Sequence, residues 1–252
     1  MLGIIGGTGL SKLANHEVLR REIVRTPFGE PSGPLTFGRI GDSEVVFLAR
    51  HGYGHTLAPH EVNYRANLWA MRDKGIKRII AVNSVGGIAA DLGPGAIAIP
   101  DQIIDYTYGR AQTFFEGPDS PVKHIDFTIP YCEKTRALCI AAADAVGVAV
   151  HKGGVYAVTQ GPRLETAAEI ERLARDGATM VGMTGMPEAA LAREIDLSYA
   201  CIVLSVNHAA GRGSSTTSID MAEIESVLGA GMATVRRILE KAVEFNRETR
   251  WQ

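Results

Sequence analysis

Seven short apolar runs punctuate the 252-residue chain: LGII, VVFLA, RIIAVNS, AIAIPDQII, GVYAVTQ, ATMVGMT and ACIVLSVN. Such runs read as buried strands. Helical spacing separates several of them, over Glu61 to Lys74, Lys134 to Val146, Thr166 to Arg175 and Pro187 to Glu194. Alternation of this kind predicts βα units around a sheet covered on both faces, an α/β fold that 252 residues can complete as one domain. Near the end of the chain Ile224, Val227, Leu228, Val235, Ile238, Leu239 and Ala242 form one apolar stripe, predicting a helix that packs across the sheet.

With 46% apolar and 21% charged residues, disorder and fibrous classes are excluded. A net charge of -2, with no dense Lys/Arg run, argues against nucleic acid or an anionic membrane surface and for a small-molecule ligand. Cys132, Cys139 and Cys201 are odd in number and lack CxxC spacing, which suits a reducing cytoplasm. The opening MLGIIGGTGL has no basic n-region, and no stretch is apolar over a membrane span, so a soluble protein is expected. Thr107 to Val122 and Ala210 to Ser218 read as loops of the type that cover ligands.

Several residues follow strand-like runs, where open α/β sheets bind their ligands. Gly6-Gly7-Thr8-Gly9 reads either as a tight turn or as an anion loop offering backbone N–H groups and the Thr8 hydroxyl. A dinucleotide fingerprint starting at Gly7 would need glycine where Lys12 stands. Arg50-His51 offers a two-pronged guanidinium and an imidazole N–H to phosphate, or is an ordinary exposed turn. His51, His55 and His60 raise a metal reading, but no carboxylate or cysteine accompanies them at ligand spacing, and no metal is expected. Thr184, before Pro187, either caps a helix or touches an anion. Glu165 is either a first-turn acid favoured by the helix dipole or a ligand-binding carboxylate, and Asn207 either a turn residue or a ligand-binding amide.

Taken together, GIIGGTGL, FLARHG, NYRANLWA, AVNSVGGI, DQIIDYT, TQGPRLET and VGMTGMPEAALARE resemble the trimeric purine nucleoside phosphorylase and methylthioadenosine phosphorylase family over nearly the whole chain. The resemblance implies a single α/β domain with a mixed, partly barrelled sheet flanked by helices. It also implies a homotrimer with sites near subunit interfaces. Purine nucleoside and inorganic phosphate would be the substrates, without a cofactor. Thr8, Arg50, His51 and Thr184, with the Ser84 backbone, would hold phosphate, and Met183 would lie along the ribose. Val85, Gly86, Leu164, Glu165 and Asn207 would surround the base, and His124 would reach the 5′ end from a neighbouring subunit.

Departures from the family pattern refine the expected substrate. Adenine-specific members carry two aspartates in the stretch matching Asn207-His208-Ala209, where this chain has Asn and Ala. Asparagine can donate to the O6 of hypoxanthine, which a carboxylate cannot. Glu165 can accept the N1–H that 6-oxopurines have and adenine lacks. Ile219 stands where inosine- and guanosine-cleaving members usually place a histidine, and isoleucine suits a methylthio group rather than a hydroxyl. Leu164 replaces a phenylalanine that commonly contacts the base. The expected reaction is therefore phosphorolysis of S-methyl-5′-thioinosine, with Asn207, Glu165 and His51 as the catalytic set. Inosine or guanosine cleavage comes next, then methylthioadenosine cleavage, and a nucleotide-binding protein without phosphorylase activity is the alternative of another class.

Overall fold

The computed structural model describes residues 1–10, 17–118 and 120–248, so Lys12 lies outside the described residues. Ten strands and five α-helices run in the order β1 (Leu2–Gly6), β2 (Glu17–Glu22), β3 (Leu35–Ile40), β4 (Ser43–Ala49), α1 (Tyr64–Asp73), β5 (Arg78–Gly87), β6 (Ile97–Ala98), β7 (Gln102–Asp105), α2 (Glu133–Ala145), β8 (Val155–Val158), α3 (Ala167–Arg175), β9 (Met180–Gly182), α4 (Glu188–Glu194), β10 (Ser198–His208) and α5 (Met221–Phe245). All seven apolar runs contain strands. AIAIPDQII holds two, β6 and β7, on either side of Pro100, whose nitrogen has no hydrogen for a ladder.

The runs are continuously apolar because successive side chains enter different cores. Leu2 and Ile4 of β1, Ile80 and Val82 of β5, and Ile202 and Leu204 of β10 pack with Leu138 of α2 and Val235, Ile238 and Leu239 of α5. Their neighbours Ile5, Ile79, Ala81, Cys201 and Val203 face the opposite way, with Leu68 and Met71 of α1 and Leu191 of α4. The period-2 geometry of a strand thus becomes invisible in sequence when both faces are covered. The stripe of α5 is fully buried only in its second half; Ile224 and Leu228 are partly buried.

Strands β1, β4, β5 and β10 pair in parallel, β3 and β2 extend the sheet antiparallel beyond β4, and β9 joins β5 antiparallel. Beyond β9 lie β8 and β7, both parallel. Since β6 pairs β10 and runs on into β7, the path β5–β9–β8–β7/β6–β10–β5 closes on itself. This is the barrelled part. Sequence reading missed β2 and β3; β2 (EVLRRE) is exposed at five of six positions and carries no apolar signature. Among the described residues, no helix is long and apolar enough to cross a membrane.

Strand β5 keeps β10 along one edge for its whole length. Its other edge pairs β1 over Arg78 to Ala81 and then β9 at Gly86 and Gly87. Gly87 makes that exchange possible, because a Cβ there would lie 1.7 Å from the Leu92 carbonyl oxygen. Gly87→Ala must displace backbone rather than a side chain. It is expected to cost at least about 3 kcal/mol and lower the melting temperature by roughly 6–12 °C in a thermal scan.

Candidate active site

A cavity of about 520 Å³ opens where β5 exchanges β1 for β9. The turn after β1 brings Gly7 and Thr8, the exit of β4 brings Arg50 and His51, and β5 itself supplies Ser84, Val85 and Gly86. Because β9 is antiparallel to β5, its exit at Met183 and Thr184 returns beside Ser84. Leu164 and Glu165 from the segment before α3, Asn207 and Ala209 from β10 and its exit, and Ile219 before α5 complete the walls. His124 does not line this cavity; it is exposed, on the segment before α2.

At one end lies a floor of hydrogen-bond donors. Leu10 N–H closes the glycine turn on Gly7 O at 3.0 Å, and Gly7 and Thr8 line the cavity. Any side chain at Gly7 would meet Val82 O at 2.5 Å and Arg50 Nη1 at 2.9 Å. Arg50 is no exposed turn residue, being fully buried. Its Nε and Nη2 donate to the two oxygens of Glu188, each at 2.7 Å, and Nη1 donates to Val82 O at 2.9 Å. The two-pronged edge expected to grip phosphate is therefore already occupied, since a buried guanidinium requires a counter-charge within the fold. Of its five N–H groups, one on Nη1 and one on Nη2 are left over. Burial opposes the Arg50 charge, but Glu188 outweighs it and holds the guanidinium pKa above its ordinary value.

His51 also departs from expectation. Its Nδ1 lies 2.8 Å from the Leu57 carbonyl, which can only accept, so Nδ1 carries the proton. Burial and the adjacent Arg50 charge push the imidazole pKa down to about 4. At neutral pH Nε2 is thus a bare acceptor, suited to the proton of a monohydrogen phosphate rather than to donating. Thr184 does not cap α4, whose N-cap is Pro187. Its Oγ1 accepts from Asn83 Nδ2 at 2.7 Å, which leaves the threonine proton to be donated elsewhere. Ser84 Oγ, on the same wall, is buried without a partner among the described residues.

The other polar end joins an amide and a carboxylate. Asn207 is no turn residue: β10 continues to His208, and a bulge lies between Ser205, opposite Val85, and Asn207, opposite Gly86. Val206 is the inserted residue. The bulge breaks the alternation of faces, so Val206 and Asn207 both line the cavity. Asn207 Nδ2 donates one hydrogen to His208 O at 2.6 Å, leaving its second N–H and its carbonyl oxygen. Glu165 precedes α3 and lies outside its first turn; Thr166 and Glu169 form the capping box. Thr159 Oγ1 donates to Glu165 Oε1 at 2.5 Å, and burial raises the carboxyl above the usual range while that bond pulls it back.

The third wall is apolar, adding Met221 and Ile224 to Ile219. Sequence reading missed these two because they begin a helix whose signal lies further along. It also assigned no role in the site to His55, whose ring packs on His51 at 4.5 Å. Arg110 gave no signal either, as a single arginine in a loop. It is buried, donating to Met183 O (2.8 Å), Met186 O (2.6 Å) and Gln160 O (2.8 Å). The loop Thr107 to Val122 therefore contributes a clamp on the segments bearing Thr184 and Glu165, and none of its described residues lines the cavity. Ala210 to Ser218 contributes only Ala210. Among the described residues no three His, Cys, Asp or Glu side chains converge as a metal set.

Residues 1–244 match the phosphorylase superfamily. The chain is 52% identical over 240 residues, covering 95% of it and 97% of the relative, to a probable S-methyl-5′-thioinosine phosphorylase from Pseudomonas syringae. A 6-oxopurine nucleoside phosphorylase from Pyrococcus furiosus is 45% identical over 229 residues, 88% of this chain and 85% of its own. The fold matches methylthioadenosine phosphorylase from Schistosoma mansoni in complex with adenine, with a TM-score of 0.92 and 35% identity over 97% of this chain and 91% of that one.

The protonation of His51 is directly measurable. Its pKa of about 4 lies below the free histidine value, so the unfolded chain binds the proton more tightly. Stability from this group is complete above about pH 6.5 and declines as pH falls toward 4. A ¹⁵N NMR titration should show the neutral Nδ1–H form down to about pH 5, whereas a charged His51 at pH 6 contradicts the assignment.

Proposed function

The chain belongs to the phosphorylase superfamily, and on that premise we propose that it cleaves S-methyl-5′-thioinosine with phosphate to hypoxanthine and 5-methylthioribose 1-phosphate. The observation that carries this reading is one cavity with three chemically distinct walls. A donor floor of Thr8, Arg50, Ser84 and Thr184 suits phosphate, Asn207 with Glu165 suits a keto purine, and Ile219, Met221 and Ile224 suit an apolar 5′ substituent.

In this mechanism the phosphate oxygen attacks C1′ while the C1′–N9 bond breaks and its electron pair passes to the purine, which takes up from solvent a proton equivalent to the one the phosphate gives up. The sugar develops oxocarbenium character between them. The floor donors hold the nucleophile beneath the sugar, Nε2 of His51 accepts its P–OH hydrogen, and Met183 lies along the ribose. Asn207 donates its remaining N–H to N7 or O6 as negative charge grows there, and Glu165 accepts N1–H. Val85, Gly86, Leu164 and Ala209 border the base. No covalent enzyme intermediate, cofactor or metal is involved.

The proposal includes a cytoplasmic homotrimer in which His124 serves a neighbouring copy. Its exposure outside its own chain's cavity, between exposed Val122 and Ile129, supports that role. The 6-oxopurine relative and the methylthioadenosine phosphorylase keep inosine and methylthioadenosine as the next readings.

A substrate panel separates them. Methylthioinosine should give phosphate-dependent hypoxanthine release with the highest kcat/KM, followed by inosine. Asn207→Asp should move the kcat/KM ratio of methylthioadenosine to methylthioinosine upward by about tenfold or more. An unchanged ratio contradicts the base-reading role. Dilution to monomer, checked by sedimentation, should abolish most activity if His124 crosses between copies.

A further inference from the structure

Behind the donor floor sits a carboxylate that no step above uses. Glu188, the first residue of α4, is fully buried and does not line the cavity. It has three donors: Nε and Nη2 of Arg50 and the hydroxyl of Tyr199, all at 2.7 Å. Tyr199 is itself buried in β10 and stacks on Tyr131 at 6.2 Å, so the carboxylate is tethered to the sheet as well as to α4. We propose that Glu188 is a positioning residue for phosphate, fixing the plane of the Arg50 guanidinium so that its remaining N–H groups address the anion floor.

Two observations support this beyond the ion pair. The fork edge of Arg50 is paired with Glu188, which does not line the cavity, and Val82 O fixes one Nη1 hydrogen, so the guanidinium is held on three sides. Gly7, which can bear no side chain without meeting Nη1 at 2.9 Å, brings the turn that carries Thr8 close against that nitrogen. An arginine held this way presents a fixed donor pattern before phosphate arrives, and its charge is already balanced within the fold. The same balance keeps the floor from trapping an anion by charge alone. This inference rests on the phosphorolysis reading for its substrate, but the geometry it invokes is that of an anion site.

Two variants test it. Glu188→Asp keeps the charge but withdraws the carboxylate by one methylene, drawing Arg50 back from the floor. Tyr199→Phe keeps the ion pair and removes only its tether. Phosphate KM is expected to rise about tenfold in Glu188→Asp and about threefold in Tyr199→Phe, with nucleoside KM changing less than about twofold in both. A purely structural role would instead lower the active fraction or move both KM values together, and either result overturns the proposal. If Glu188→Asp does not fold, Tyr199→Phe alone decides, and an unmoved phosphate KM there refutes it. Calorimetric titration with inorganic phosphate gives a second readout independent of turnover. A wild type that binds phosphate yet releases no base refutes the proposed reaction, while unchanged phosphate affinity in the variants refutes the role of Glu188.

Discussion

Strand β5 is shared by the open and the barrelled parts of one sheet, and the site is the consequence. Its edge toward β1 is paired as far as Ala81 and its edge toward β9 only from Gly86, so on that side Val82 to Val85 make no ladder pair among the described residues. Backbone groups in such a gap must find other partners or cost the fold dearly. Val82 O takes Arg50 Nη1, and the end of β9 closes in until a Cβ on Gly182 would stand 3.2 Å from Ser84 O. The need to satisfy a divided edge therefore brings the exits of β1, β4 and β9 to the same few residues of β5. A continuous sheet would have filled that space with a strand.

Charge in the floor is arranged with similar economy. Its one guanidinium is matched by Glu188, and its imidazole is held neutral by burial and by Arg50. What remains for an anion is a set of oriented N–H and O–H groups: Arg50's two spare hydrogens, Thr184 released by Asn83, and the unpartnered Ser84 hydroxyl. Preorganised donors of this kind stabilise charge without reorganising during the reaction. They also bind through geometry more than net charge. That matters for an enzyme whose phosphate must become a sugar phosphate and depart.

Much of this was legible in sequence because the buried strands announce themselves and the ligand-bearing residues follow them directly. The rule that strand ends carry ligands singled out Arg50 after VVFLA, Glu165 after GVYAVTQ and Thr184 after ATMV as candidates, and the family resemblance chose among the readings each allowed. The roles of those residues were less legible. That Arg50 spends its fork on Glu188, 138 positions away, is a tertiary fact with no local trace. The same holds for the bulge at Val206, which presents two consecutive residues to one cavity, and for Arg110, whose acceptors are backbone carbonyls that any sequence possesses. Edge strand β2 was missed for the opposite reason, since a solvent-facing strand of charged residues lacks the apolar signature.

The two ends of the cavity do not discriminate with equal force. In the proposed reaction, a mismatched purine would leave Asn207 and Glu165 facing groups of the wrong hydrogen-bonding sense, at about 1 to 3 kcal/mol for each buried unpaired group. At the 5′ end, Ile219, Met221 and Ile224 form a wall with no side-chain donor or acceptor of its own. A methylthio group there gains roughly 0.8 kcal/mol per buried carbon, and a hydroxyl loses part of its hydration. Apolar contact grades ligands by size, whereas paired donors and acceptors reject them by kind. The choice between keto and amino purines is therefore the sharper of the two. On that proposal, the amide governs which base is accepted, while the apolar wall governs how well a given nucleoside is held.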